Sequence, residues 1–400
     1  MTSGIRDAYI VAARRTPVGK APRGSFRRER PDDLLASVIR STLADAPGAD
    51  PAAIEDVIIG CAMPEGEQGM NVARIALLLS GLPDSVPGVT VNRFCASGLQ
   101  TVAQAADRVR LGAADLVLAG GTESMSMIPF MGSRPAFNPR VVEADENVAI
   151  AYGMGITAEK VAQRWEVSRE DQDAFAYESH RRAIAAQDAG HFDAEIAPVE
   201  VTERDGDLAA GTVAERRRTV SADDGPRRDT DPQKLGKLRP VFAARGSVTA
   251  GNSSQTSDGA AAVLVASEDA VKRYDLQPLA RFCGYSVAGV PPEIMGIGPI
   301  EAVPRALRQS GVAQQDLDWI ELNEAFAAQS LAVMRTLELD PARVNPLGGA
   351  IALGHPLGAT GAIRTATVVH GLRRTAGRYG MVTMCVGTGM GAAGVFESLA

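Results

Sequence analysis

One plan of strand, elbow, helix, strand and glycine turn occurs twice in this chain of 400 residues, near residue 90 and again near residue 345. In the first copy Val89, Thr90 and Val91 are apolar or β-branched and read as a short buried strand. Cys95 stands at the elbow. Beyond Gly98 the apolar residues Leu99, Val102, Ala103, Ala106 and Val109 fall at helical spacing. Asp115 to Ala119 is the next strand, and Gly120-Gly121 opens the turn that follows. The second copy has a strand at Arg343 to Asn345 and a helix from Gly358 to Leu372, with Ile363, Ala366 and Val369 on one face. A strand from Gly380 to Val386 then ends in Gly387-Thr388-Gly389. The repeated plan predicts two similar α/β halves. Sites in open α/β sheets form beyond the carboxyl ends of strands. Cys95 and Cys385 each follow a strand, one per half, so they are expected to meet.

A helix N-terminus presents unpaired N–H groups and partial positive charge, which favour thiolate over thiol at Cys95. The alternative is a buried cysteine acting as a small apolar residue. Two further stretches weigh against that alternative. His355 lies in a loop with glycine or proline close on both sides, and Cys385 ends an apolar run just before glycines. Glycines let backbone N–H groups approach a ligand closely. Two cysteines and a histidine in such settings fit nucleophilic thiol chemistry with a base and a second proton carrier.

Net charge is −7, which argues against a general nucleic-acid binder. The four cysteines, 61, 95, 283 and 385, are far apart, with neither a C-x-x-C pair nor zinc spacing. No disulfide framework and no metal site are expected, and a reducing compartment suits a working thiolate. Neither a secretory signal nor an 18-residue apolar span is visible, so the expected location is the cytoplasm, with no membrane span. Aromatics make up only 4%, so the core must be mostly Ala, Val, Leu and Ile.

Along the chain, Ala8 to Ala13 reads as a strand, Asp32 to Leu43 and Met70 to Leu79 as helices, and Val57 to Ile59 as a strand leading to a core Cys61. Arg14 and Arg15 read as surface or subunit contacts. Residues 124–245 differ in character. Helices are expected at Thr157 to Trp165 and Arg169 to Ala189, then a polar stretch from Val201 to Arg239, together forming an inserted lobe without a sheet of its own. His180, His191 and His370 read as structural or surface residues. Thr249 to Gly259 is a small-residue loop, followed by strands at Val263 to Ala266, Ala280 to Ser286 and Ile320 to Leu322. Asn323, taken by itself, reads as the cap of the next helix.

Four stretches together identify a family. Asn-Arg-Phe-Cys-Ala-Ser-Gly-Leu-Gln at 92–100, Asn-Glu-Ala-Phe at 323–326, Gly-His-Pro-Leu-Gly-Ala-Thr-Gly at 354–361 and Cys-Val-Gly-Thr-Gly-Met-Gly at 385–391 resemble the thiolases, in the family's order. The resemblance implies an α/β fold of two similar βαβαβαββ halves stacked as five layers, α/β/α/β/α, with an inserted loop domain. It divides the chain into 1–123, the first part of the N-terminal half; 124–245, a loop domain covering CoA; 246–275, the end of that half; and 276–400, the C-terminal half. The implied activity is acyl transfer, namely thiolytic cleavage of 3-ketoacyl-CoA by CoA in fatty-acid β-oxidation. CoA is then a co-substrate, and no cofactor is permanently bound.

The same resemblance implies roles. Cys95 is the nucleophile that carries the acyl group. His355 takes its proton and, with Asn323, polarises a thioester oxygen. Cys385 is acid for the departing enolate and base for incoming CoA. The N–H groups of Cys95 and Gly387 form the oxyanion hole. Ser254 and Ala250 belong to the loop that meets the pantetheine arm. Arg227 and Arg228, in a basic cluster with Arg216 to Arg218, Lys234 and Lys237, are expected at the CoA phosphates. Many thiolases have three successive glycines where this chain has Gly387-Thr388-Gly389, so Thr388 is expected to narrow the pocket. A homodimer or homotetramer is implied, and a hydratase/dehydrogenase partner of β-oxidation is compatible. The same motifs serve biosynthetic condensation of two acetyl-CoA. A non-catalytic lipid-binding relative would lack the nucleophile or the histidine, and this chain has both.

Overall fold

The computed structural model describes residues 5–143, 148–207 and 209–399. The chain begins with β1 (Tyr9–Arg15), β2 (Gly19–Lys20), α1 (Pro31–Ala44), β3 (Asp56–Gly60), α2 (Val72–Leu79), β4 (Gly88–Val91), α3 (Ser97–Arg110) and β5 (Leu116–Ser124). A lobe follows with α4 (Arg140–Glu143), α5 (Met154–Arg164), α6 (Arg169–Asp188), β6 (Val199–Asp207), β7 (Thr212–Val220) and α7 (Pro232–Gly236). Next come β8 (Ser257–Ala266), α8 (Glu268–Arg273), β9 (Ala280–Gly289), α9 (Gly298–Ser310), β10 (Leu317–Leu322) and α10 (Ala327–Thr336). The chain closes with α11 (Ala350–Leu353), α12 (Leu357–Thr375), β11 (Tyr379–Val386) and β12 (Met390–Ser398).

The main strands run in the order β10-β11-β12-β9-β1-β8-β5-β3-β4. Helices α1 and α2 cover the outer face of β1, β8, β5, β3 and β4, while α9 covers the outer face of β9, β12 and β11. Helices α3 and α12 pack on each other and touch strands of both halves. The result is the expected five layers. The two halves are not separate sheets, however: Tyr9 pairs with Arg281 and Ile10 with Ala280, so β1 and β9 join them at one corner. The inner helix α12 is buried along nearly its whole length, which explains its small residues: an interior helix must be apolar or small all round.

Several expectations need correction. Val89 is exposed, because β4 is the edge strand and only one side of it is paired. Gly120 to Ser124 continues β5 rather than turning, since each residue pairs with β8 in register. Arg343 to Asn345 makes only a bridge, Val344 with Ile320, and no strand. The lobe does hold a sheet, the β6–β7 hairpin. Its strands bury little beyond Val199, Val201 and Val220, so alternation was hidden among charged residues. Phe326, not Asn323, is the N-cap residue of α10. Arg15 is no surface group: it is buried, 2.6 Å from Glu195 and 2.7 Å from Asp223. Those carboxylates tie β1 to the lobe, and because they lie some 200 residues away along the chain, nothing local to the strand marks the charge as buried. His180 is structural, one of the two readings expected of it: it is buried, its Nδ1 accepting the Arg227 N–H at 3.1 Å.

Candidate active site

The contact of α3 with α12 places the site. A Cβ added to Gly98 would lie 2.6 Å from the Ala362 nitrogen, and one on Gly361 would lie 2.1 Å from the Leu99 nitrogen. Only glycine permits so close an approach. The first turns of both helices are thereby pressed together. Cys95 precedes one first turn and His355 precedes the other.

Cys95 sits on a single 3-10 turn, Phe94 to Ala96, directly before α3. Phe94 has φ +42°, in the left-handed region. It is pinned there: its N–H donates to Asn92 Oδ1 at 2.8 Å, and its carbonyl accepts from Ser97 Oγ at 2.7 Å. The backbone N–H groups of Gly387 and of Cys95 itself lie near the Cys95 sulfur, and both favour thiolate. Burial outweighs them and pushes the thiol up to about 11. The N–H groups act in the expected direction, and desolvation of the anion is the larger effect here.

His355 lies in the short link between α11 and α12. Its backbone N–H donates to Gln255 O at 3.2 Å and Ser257 Oγ at 3.1 Å. Asn323 Nδ2 is 3.3 Å from His355 Nε2, and Thr360 Oγ1 is 2.6 Å from Nδ1. An amide that donates to Nε2 leaves the lone pair there, and the neutral ring then carries its proton on Nδ1 toward Thr360. Burial first, and then the Arg364 charge, lower the imidazole to about 3, so the ring is neutral at ordinary pH.

Asn323 follows β10, and Cys385 is the next-to-last residue of the parallel neighbour β11. The Asn323 N–H donates to Thr383 O at 2.9 Å, which fixes the two strand ends side by side. Burial and the nearby Cys95 both raise the Cys385 thiol. Asn323 Oδ1 is buried without a partner among the described residues, an acceptor left open at the site.

A cavity of about 540 Å³ brings Cys95, His355, Cys385 and Gly387 together. Ser254 also lines it, its N–H held by Ala325 O at 2.9 Å. Ala250, Arg227 and Arg228 do not line it. Arg227 pairs with Asp229 at 3.1 Å and Arg228 with Asp188 at 2.5 Å, all on the exposed surface. Sequence reasoning missed Thr360 as the partner of His355, although it lies inside a recognised stretch. It also missed the walls: Met63, Met125, Met131, Met154 and Met295, five of the chain's twelve methionines, line this cavity. Scattered along the chain, they have no spacing that would mark them. Unbranched thioether side chains adapt to apolar ligands of varied shape.

A family model described as Thiolase, N-terminal domain matches residues 8–269, and one described as Thiolase, C-terminal domain matches residues 276–398. The chain is 50% identical over 393 residues to 3-ketoacyl-CoA thiolase of Bacillus subtilis (strain 168), covering 98% of this chain and 100% of that one. Its fold is similar to that of Bacillus anthracis acetyl-CoA acetyltransferase, with TM-score 0.89, 38% identity and complete coverage (100%) of both chains. It is equally similar to human mitochondrial 3-ketoacyl-CoA thiolase in complex with CoA, with TM-score 0.88, 39% identity and 99% of each chain covered.

Proposed function

This chain belongs to the thiolase family and is an acyltransferase, and from that premise we propose that it cleaves 3-ketoacyl-CoA with CoA, releasing acetyl-CoA and an acyl-CoA shortened by that unit. The observation that carries the reading is the convergence of Cys95, Cys385 and His355 on one apolar cavity. The Bacillus subtilis relative's name points the same way.

In this reading the neutral His355 accepts the Cys95 proton on Nε2, and the thiolate attacks the 3-keto carbon. The N–H groups of Cys95 and Gly387, both near the sulfur, receive the oxyanion. Collapse of the intermediate breaks the C2–C3 bond. The departing acetyl-CoA enolate takes its proton at C2 from Cys385, leaving a Cys385 thiolate. That thiolate deprotonates incoming CoA, whose sulfur attacks the acyl-Cys95 thioester. The second intermediate expels Cys95, which recovers its proton from His355. Atoms and charge balance over the cycle. Asn323 holds Nε2 of the neutral ring in place, releases it as Nε2 takes the Cys95 proton, and then, with the ring, polarises the thioester oxygen.

Ser254 is assigned to the pantetheine arm. Arg227 and Arg228 are candidates for the CoA phosphates only if they leave Asp229 and Asp188. Two working thiols suit a reducing compartment, so we place the protein in the cytoplasm. Exposed Met70, Leu78, Leu79 and Val89 lie on or beside the edge strand β4, an unpaired edge with apolar cover that supports a homo-oligomer. Among the described residues no helix is long and apolar enough to cross a membrane.

Condensation of two acetyl-CoA is the second reading, favoured by the name of the Bacillus anthracis neighbour. The deciding experiment is thiolysis of acetoacetyl-CoA and of a long-chain 3-ketoacyl-CoA, each with free CoA, by wild type and Cys95→Ala. Cleavage of the long-chain substrate by wild type alone supports the degradative reading. Activity confined to acetoacetyl-CoA supports the biosynthetic one. Equal cleavage by Cys95→Ala removes Cys95 from the mechanism.

A further inference from the structure

The loop joining β11 to β12 is three residues long, Gly387-Thr388-Gly389. Such connections place a residue in the left-handed region, usually glycine. Here the middle residue, Thr388, has φ +69°. A β-branched residue at positive φ is a genuine outlier, and outliers that persist cluster at functional sites. The backbone around it has no freedom to relax. Gly389 is at φ +91°, with a Val290 carbonyl only 2.3 Å from where its Cβ would be. The Gly389 carbonyl also accepts the Val290 N–H at 2.8 Å, which ties the loop to the strand end before it.

Among the described residues no distant bond explains the threonine. Its hydroxyl donates to the carbonyl of the preceding residue, Gly387, at 2.5 Å. What the side chain does do is line the cavity, beside Cys385 and Gly387 and together with Phe94 and Met154. Phe94 is itself at positive φ, so strained non-glycine residues stand on both sulfur-bearing loops. A Cβ on Gly387 would lie 3.9 Å from the Phe94 ring and 3.8 Å from Met154 Sδ, so this part of the wall is built at contact distance.

We propose that Thr388 is a specificity-determining residue, held at positive φ so that a branched side chain, not glycine's hydrogen, bounds the cavity beside Cys95 and Cys385. The group it restricts is the substituent on the carbon that Cys95 attacks: linear acyl chains pass, and chains branched next to the keto carbon are rejected. This inference rests on the thiolysis reading above.

The test compares 3-oxohexanoyl-CoA with 4-methyl-3-oxopentanoyl-CoA in wild type, Thr388→Gly and Thr388→Val. One methyl group in an apolar pocket discriminates by roughly tenfold or more. Thr388→Gly is expected to raise the branched-to-linear ratio of kcat/KM by about that factor, with a melting temperature no lower than wild type. Thr388→Val keeps the branch and is expected to keep the wild-type ratio. An unchanged ratio in Thr388→Gly overturns the proposal, as does a Thr388→Val ratio that moves with it. A second arm reads the same selectivity without turnover, as Kd for isobutyryl-CoA against butyryl-CoA in a Cys95→Ala background with and without Thr388→Gly. Failure of wild type to cleave any 3-ketoacyl-CoA defeats the reaction assigned above. The binding arm still decides the role of Thr388: equal Kd ratios in the two backgrounds overturn it.

Discussion

The backbone N–H of Gly387, on the β11–β12 loop of one half, lies close enough to the sulfur of Cys95 to favour its thiolate, and Cys95 is carried by the turn before α3 of the other half. The nucleophile's surroundings are therefore assembled across the molecule and not within either half. The two N–H groups at this sulfur are too few to offset the cost of burying a thiolate, and Cys95 rests as a thiol beside a neutral His355.

Alkylation tests that resting state. With its thiol pushed up to about 11, Cys95 reacts slowly with iodoacetamide at neutral pH, and its rate rises about tenfold per pH unit up to pH 10. Peptide-resolved mass spectrometry of labelled Cys95 reads this directly. A rate already level between pH 6 and 8 would instead mean a preformed thiolate–imidazolium pair and would contradict the burial argument.

Asn323→Ala removes the amide 3.3 Å from His355 Nε2. Loss of a preorganised donor of this kind lowers kcat by roughly 10²–10³. Thr360 still holds the other ring nitrogen, so the fold should survive, with a melting temperature near wild type. The double variant with His355→Ala should be hardly slower than His355→Ala alone, since the two residues act as a unit. Additive losses in steady-state thiolysis would show that Asn323 works independently of the histidine.

What was legible in advance followed chain proximity. Cys95, His355, Cys385 and Asn323 lie in four short stretches whose composition is unusual, and all four meet as expected. The two similar halves followed from the repeated plan, and their stacking in five layers from the resemblance to the thiolases. What was hidden depended on partners distant in sequence. Arg15 looked like a surface cation because Glu195 and Asp223 are far along the chain. The Cys95 thiol was expected to be lowered because the helix start is local, whereas the burial that raises it comes from packing of both halves. Arg227 and Arg228 looked available for phosphates, yet acidic neighbours hold both.

Arg15→Leu tests the buried ion cluster. The guanidinium, 1% exposed, is the only cation paired with Glu195 or Asp223 among the described residues. Removing one partner of a buried ion pair strands the other charge and costs about 3–5 kcal/mol. Arg15→Lys should recover little, because a single ammonium cannot reach Glu195 and both Asp223 oxygens at once. Denaturant titration gives the values. A loss within 1 kcal/mol would mean that the carboxylates take up protons or water on losing the arginine.

Acid stability isolates His180. Burial first, and then the charges of Arg227 and Lys20, lower its imidazole to about 4, whereas an unfolded histidine titrates near 6.5. As pH falls below 6.5 the unfolded chain binds a proton here that the folded chain refuses. The contribution is therefore fully present above pH 6.5 and declines by about 1.4 kcal/mol per pH unit down to about pH 4. Many carboxylates titrate in the same range, so the informative quantity is the difference between wild type and His180→Gln. The wild type's stability relative to the variant should fall with that slope between pH 6.5 and 4 and stay level on either side. Denaturant midpoints measured at half-unit pH steps would show it. A difference independent of pH would mean that His180 is protonated in the folded protein, and that the Arg227 N–H has turned away from Nδ1.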